Sequence, residues 1–348
     1  MLRNQVRLSE SLDCWEHLLR NSPNNPQTKL QQALTLLTQG DYSQGWDEYE
    51  WRWKAEVRSR SFEIPEWDGE SLADQSILIH AEQGVGDEIM FASCIPEFLE
   101  QVEECSIECD SRLISLFERS FPQARIFSRP INRSGTGQEP SIYFDRQIPM
   151  GSLPRFLRRS IESFPEQKGF LIPDEKRLQK WRERFAGLGN GLKVGISWRG
   201  GRKPDVRRSR STSLDQWMPV LQTPGVQFIN LQYRECRQEL AMYQEQNGIS
   251  IHDWVDADPV SDLDDFAAQI AALDLVISID NATVHMAGAL GVPVWTLLPF
   301  AADFRWMTGT DSSPWYPSMT HFRQPKPRDW KRVFDRVVCE LDVCFHPR

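Results

Sequence analysis

DLVISIDNATVHMAGALGVPVWTLL, residues 274–298, decides the fold class. It starts with an apolar, β-branched run of strand length ending at Asp280. Asn281 then opens a helix, which Gly291 closes. A second apolar run, VPVWTLL, follows at once. Strand, helix and strand with such short connections make a βαβ unit, whose two strands lie parallel in one sheet.

The same alternation extends upstream. LKVGISW (192–198) reads as a strand, SLDQWMPVL (213–221) as a helix, VQFINLQ (226–232) as a strand and DLDDFAAQIAAL (262–273) as a helix. An earlier block repeats the pattern: SILIHA (76–81), GDEIMFASCIPEFLEQV (86–102), SIECD (106–110), SRLISLFERSF (111–121), RIFS (125–128) and SIYFD (141–145), with a polar loop at 129–141. Between the blocks lies a charged amphipathic helix with a glycine-rich exit, PDEKRLQKWRERFAGLGNG (173–191).

Residues 9–56 are helical by pattern, with Leu30, Ala33, Leu34 and Leu37 at helical spacing and a break at Gly40-Asp41. SFEIPEWDGESLADQ (61–75) is a connector. The expected class is α/β, two doubly wound domains in tandem. Expected boundaries are a helical segment 1–60, a first Rossmann-like domain 61–172, a linker helix 173–191 and a second Rossmann-like domain 192–328. A C-terminal helix, 329–348, is expected to pack back on the first domain.

Bulk composition excludes several classes. The 348 residues are 40% hydrophobic and 26% charged, as in globular proteins. A net charge of -9 argues against a nucleic-acid partner. No run of 18 apolar residues marks a transmembrane segment. MLRNQVRLSESLDCWEHLL has no apolar signal-peptide core, so a cytoplasmic setting is expected. Seven cysteines without a CxxC pair read as free, buried thiols.

Two helix openings contrast. AEQGVGDEIMFAS (81–93) places Gly84 and Gly86 after a strand, like a dinucleotide fingerprint, but Asp87 and Glu88 follow and position 89 is Ile. Two carboxylates in the first turn repel a diphosphate. At 280–283 the opening is Asp280, then neutral Asn281, Ala282 and Thr283. A helix N-terminus free of fixed anions suits a phosphate. Asp87 is therefore either a helix-capping acid or a general base. RGGRKPDVRRSRS (199–211) holds Arg199, Arg202, Lys203, Arg207, Arg208 and Arg210 at a strand's carboxyl end. It is either a solvated basic loop or an anion clamp. His285 is either a packing side chain or a ligand contact. Asp256-Ala257-Asp258 reads as solvated despite its D-x-D spelling.

Taken together, GVGDEIMFASCIPEF, SWRGG, RSRSTSL, AALDLVISIDNATVHMAGALGVPVW and LLPFAADFRWM resemble bacterial glycosyltransferases that carry tetratricopeptide repeats. Ala33, Gly40, Tyr42 and Ala55 with the nearby aromatics resemble one such repeat. These enzymes are similar to the ADP-heptose:lipopolysaccharide heptosyltransferases of glycosyltransferase family 9. The resemblance implies a GT-B fold, two Rossmann-like domains facing a cleft. It implies an inverting reaction that needs no metal and no cofactor, with a nucleoside-diphosphate sugar as substrate.

Carried over, the catalytic aspartate falls on Asp87, within an acceptor loop of Gln83, Gly84 and Gly86. The diphosphate-contacting basic residue falls on Arg210, with Arg199 and Arg208 near it. The donor-binding segment falls on Asp280, Asn281, Ala282, Thr283 and His285. A ribose-contacting acid falls at Gln232, where this chain has an amide. The acceptor class stays open among glycan, protein and small molecule. Two other readings stay open: a non-catalytic scaffold, and a sugar-nucleotide epimerase or hydrolase on the same fold.

Overall fold

Residues 2–55, 62–129, 144–166, 168–201, 204–233 and 235–345 are described by the computed structural model. They fall into two units, an N-terminal one of Arg7–Pro165 and a C-terminal one that starts at Glu166 and also takes in Arg3–Val6. Most of the polar stretch 129–141, the start of the expected strand 141–145, and Arg202 and Lys203 lie outside the described residues.

The N-terminal unit starts with helices. α1 (Leu8–Asn21) is followed by α2 (Pro26–Gln39), whose first turn is set by Pro26 and by Asn25, which accepts from the Thr28 N–H at 2.9 Å. Gly40 ends α2 in the left-handed conformation, at φ +92°. Asp41 caps α3 (Tyr42–Tyr49), and a short α4 (Arg52–Ala55) follows. α3 lies so close to α2 that a Cβ on Gly45 would come within 2.7 Å of Leu37 Cδ2.

The parallel sheet behind these helices has β1 (Leu72–His80), β2 (Val102–Cys109), β3 (Ala124–Ser128) and β4 (Arg146–Pro149), in the order β3-β2-β1-β4. α5 (Val85–Phe91) and α6 (Ile95–Leu99) follow β1, α7 (Ile114–Ser120) follows β2 and α8 (Pro154–Leu157) follows β4. The single helix expected over 86–102 is broken by a 3₁₀ turn at Ala92–Cys94, with Pro96 just beyond. The helical segment is not a separate body. Buried Trp46 of α3 meets Phe91 of α5 edge to face at 6.4 Å, Tyr42 meets Phe164 at 5.0 Å, and Asp47 pairs with Arg155 and Arg159.

The C-terminal unit holds a six-stranded parallel sheet. Its strands are β5 (Leu192–Ser197), β6 (Val226–Asn230), β7 (Ile251–His252), β8 (Leu275–Ile279), β9 (Val294–Leu298) and β10 (Met319–Arg323). The order β10-β9-β8-β5-β6-β7 is that of the doubly wound dinucleotide fold, reversing between β5 and β8. Its helices are α9 (Glu175–Ala186), α10 (Pro204–Arg210), α11 (Leu214–Leu221), α12 (Arg237–Asn247), α13 (Leu263–Ala271), α14 (Ala282–Ala289) and α15 (Trp330–Phe345).

Two organisational expectations change. The linker helix α9 belongs to the C-terminal unit, where buried Trp181 donates to Asp265 of α13 at 3.2 Å and Arg177 pairs with Asp262 at 2.7 Å. The last helix, too, belongs to the C-terminal unit. Val333, Phe334, Val337 and Leu341 of α15 sit in the core of the C-terminal sheet, with Phe334 5.4 Å from Trp217 of α11. Among the described cysteines, Cys94, Cys105, Cys109 and Cys236 are buried free thiols, and Cys14 and Cys339 are exposed ones. Among the described residues no helix is long and apolar enough to cross a membrane.

Candidate functional site

In a doubly wound sheet, the crevice for a ligand lies beyond the strand ends where the order reverses. Two segments leave the C-terminal sheet there, 198–212 after β5 and 280–283 after β8, and they are tied together. Asn281 caps α14, its Oδ1 accepting from the Thr283 N–H at 2.9 Å. Its Nδ2 donates to Ser197 Oγ at 2.9 Å and to the Arg199 carbonyl at 3.4 Å. Gly200 passes so close that a Cβ would lie 3.0 Å from Asn281 Cβ and 3.1 Å from the Tyr233 hydroxyl. Gly201, at φ +97°, adopts a conformation only glycine takes without strain. Both glycines of SWRGG thus have a steric reason.

The two ends of the first segment, 198–200 and 211–212, are joined to each other. Thr212 donates both its N–H and its hydroxyl to the Trp198 carbonyl, at 2.9 and 3.0 Å, and Ser211 Oγ accepts from the Gly200 N–H at 3.1 Å. Its second half is the short helix α10 rather than irregular loop, and Arg207 and Arg208 are exposed on it. Arg210 turns inward. Its Nη1 donates to the Asp280 carbonyl at 2.8 Å and lies 3.4 Å from Asp280 Oδ1.

Asp280 is buried at the mouth of α14. Burial pushes its carboxyl above the usual range, and Arg210 opposes that shift. Asp303 and Arg305, on the loop after β9, complete the group and were not among the residues singled out by sequence. Burial disfavours the Asp303 charge, but Arg305, its own backbone N–H and Arg210 hold the carboxyl below the ordinary value. A sequence signal existed in ADFRW at 302–306, an acid and a base two residues apart just past a buried strand.

Several assigned residues point elsewhere. Arg199 pairs with Glu239 of α12 at 2.7 Å, so its guanidinium turns to that helix. Buried Gln232 staples the β5 and β6 exits. Its Oε1 accepts from the Trp198 and Arg199 N–H groups at 2.9 and 2.7 Å, and its Nε2 donates to the Arg199 and Tyr233 carbonyls. His285 is buried, stacked 5.0 Å from Trp306 and hydrogen bonded through Nδ1 to the Tyr316 hydroxyl at 3.0 Å. Ala282 is half-buried and Thr283 buried, and the Thr283 N–H is already given to Asn281. In the 256–258 pair, Asp256 pairs with Arg184 and Lys180, and Asp258 accepts from the N–H groups of Val260 and Ser261. Among the described residues no group of three His, Cys, Asp or Glu side chains forms a metal cage.

The N-terminal sheet has its own reversal, between β1 and β4. The β1 exit runs Ala81-Glu82-Gln83-Gly84, with Gln83 left-handed at φ +61°. Gly84 sits at the N-cap of α5 in extended conformation, φ −117°, where a Cβ would meet only Asp87 Oδ2 at 3.6 Å, so neither strain nor packing demands glycine there. Gly86 lies in the first turn of α5. Asp87, half-buried, accepts from the Gly84 N–H through Oδ2 at 3.1 Å, so the capping role is realised. Glu88 goes the other way. It is buried and accepts from the Asp110 N–H at 2.7 Å and from Arg129 at 2.9 Å; burial pushes its carboxyl to about 7.

No protein-family model matches the chain. Among curated proteins, Protein FlbA of Caulobacter vibrioides is 35% identical over 337 residues, a match taking in 92% of this chain and 56% of FlbA. The chain thus spans little more than half the length of that relative. Among solved structures, the glycosyl transferase family 9 protein from Veillonella parvula aligns with TM-score 0.50 at 9% identity, covering 82% of this chain and 98% of that one. The E. coli ADP-heptose lps heptosyltransferase II gives TM-score 0.48 at 14% identity, over 77% and 98% of the two chains. The fold is GT-B. It consists of two units with parallel, Rossmann-like sheets. Asp280 leaves β8 and the Asp87 loop leaves β1, each strand flanking the point where its own sheet reverses order.

Proposed function

We propose that the chain is an inverting, metal-independent glycosyltransferase. The C-terminal unit binds a nucleoside-diphosphate sugar and Asp87 is the general base. One observation carries this reading: a buried carboxylate, Asp280, paired with the half-buried guanidinium of Arg210, stands at a neutrally capped helix N-terminus on the reversal point of a doubly wound sheet. That combination supplies positive charge for a diphosphate and an acid for sugar hydroxyls. Metal independence rests on the resemblance of 280–285 to family 9 enzymes and on Arg210 as the cation.

In the proposed reaction the acceptor oxygen forms a bond to the anomeric carbon, and its proton passes to Asp87. The bond from the anomeric carbon to the diphosphate oxygen breaks, and the electron pair leaves with the nucleoside diphosphate. Arg210, the positive end of α14 and the exposed Arg208 meet the growing charge. Asp280 orients sugar hydroxyls. Calorimetry with ADP, GDP, UDP, CDP and dTDP tests the donor site. At least one should bind in the micromolar range without added metal and lose affinity in Arg210→Ala. No binding by any of the five would remove the donor assignment.

A further inference from the structure

The helical segment reaches into the loop that carries Asp87. Arg52, 1% exposed, sits at its centre. Its Nε and Nη2 grip Glu82 through both carboxylate oxygens, each at 3.1 Å, in the paired geometry that makes guanidinium–carboxylate contacts strong. Nη2 also donates to Ser152 Oγ at 2.8 Å, and Nη1 to Glu50 at 2.7 Å. The guanidinium lies 4.6 Å from the centre of the Tyr49 ring and 4.7 Å from that of Trp53. Burial opposes the Arg52 charge, and Glu82 and Glu50 more than restore it.

Glu82 is the second residue past β1 and lies five before Asp87. It too is buried, and its carboxylate occupies the space a side chain at Gly151 would need. A Cβ there would sit 1.6 Å from Glu82 Oε1. The next residue, left-handed Gln83, donates through Nε2 to the Tyr49 hydroxyl at 2.9 Å. Two consecutive residues of the β1–α5 loop are therefore held by side chains from the segment 49–52. Above them, Trp46 packs on Phe91 at the far end of α5.

We propose that Arg52 and Tyr49 are positioning residues for Asp87: the helical segment is a brace that fixes the β1–α5 loop through Glu82 and Gln83. This rests on Asp87 as the base. The brace explains why the helices pack into the first unit instead of standing off as a recognition module. It makes the geometry of the base depend on side chains more than 30 residues upstream. A free β1–α5 loop with a left-handed glutamine would be strained and mobile. Held at two adjacent side chains, it presents α5 in one orientation.

The test uses the full chain and needs no substrate. Hydrogen exchange by mass spectrometry is followed in the peptide 81–93 and, as reference, in the β2 peptide 102–109. Tyr49→Phe removes one hydroxyl and keeps the ring against Trp46 and Arg52. It should speed exchange in 81–93 by ~3-fold or more, and Arg52→Met by ~10-fold or more, with the reference peptide unchanged. Arg52→Lys, which keeps the charge and loses the fork, should fall between wild type and Arg52→Met. The ¹³Cγ signal of Asp87, assigned by its loss in Asp87→Asn, should move in Tyr49→Phe although the melting temperature does not. If Arg52→Met fails to fold, Tyr49→Phe decides alone. Unchanged exchange and an unmoved Asp87 signal in Tyr49→Phe overturn the brace. That result leaves the base assignment standing, because Asp87→Asn turnover tests the base separately.

Discussion

The two strand–turn–helix openings, β1–α5 and β8–α14, use the same backbone device with opposite charge. Each follows a buried strand at a point where a parallel sheet reverses order. At β8–α14 the cap comes from outside the helix: neutral Asn281 accepts from Thr283, and the nearest anion, Asp280, is paired with Arg210. At β1–α5 the helix caps itself from within, Asp87 in its first turn bonding back to Gly84. A self-capped helix already holds a negative charge at its positive end. The neutral opening leaves that end for a ligand's charge. In the proposed reaction, this difference is what puts the anion in the C-terminal unit and gives the carboxylate of the N-terminal opening a different task.

The sharpest way to break this contrast is Asp87→Asn. The amide keeps an oxygen for the Gly84 N–H, so the loop should fold and nucleoside diphosphate affinity should hold. Turnover of the nucleotide sugar should fall ~100-fold or more, the usual size of a lost acid–base group. Near-normal turnover would reduce Asp87 to its capping role and make the two openings differ only in how they are capped. Next in size is Arg210→Ala. It removes a charge-assisted contact, worth about 1.5–3 kcal/mol, so nucleoside diphosphate affinity should drop ~10-fold or more by calorimetry. Asp280 would also lose the guanidinium that opposes its burial, and its carboxyl should rise further. Equal affinity in wild type and Arg210→Ala would show that the neutral cap at α14 serves packing alone.

The parts legible in sequence are those where local chemistry decides structure. DLVISI and VPVWTLL are continuous apolar runs, and strands buried on both faces need no other instruction. Asn281 reads as a cap because a short amide before a helix has few other uses. β7 is two residues long and exists through its pairing with β6, so Ile251–His252 has no pattern to find. β10 carries Thr320 and His321 among its apolar residues and is defined by register with β9. The amphipathic face of α15 announces that it packs, but whether on α11 or elsewhere is a property of the tertiary fold. The same holds for direction within the site. Arg199 and Arg210 are equal letters in a basic run, and Glu239 on α12 turns one away while Asp280 draws the other in. Arg52 in WRWK gives no sign that its partner lies 30 residues on.

The smallest effect tests the other half of the acidic pair. Asp87 and Glu88 are adjacent, yet one lies at the half-buried mouth of the loop and the other is buried against Asp110 and Arg129. Burial lifts Glu88 from the unfolded carboxylate range near 4.5 to about 7. Between those values the folded chain binds a proton at this site that the unfolded chain does not. The contribution of Glu88 to stability therefore falls as pH rises through that window. Glu88→Gln keeps an oxygen for the Asp110 N–H and cannot titrate. The difference in unfolding free energy between Glu88→Gln and wild type should grow in favour of the variant from pH 5 to pH 8, on the order of 2 kcal/mol. Urea unfolding of both proteins at the two pH values measures it. A pH-independent difference would mean that Glu88 is ionised throughout and that Arg129 fully compensates its burial. Both acids of α5 would then be fixed anions, and the contrast with the neutral opening of α14 would widen.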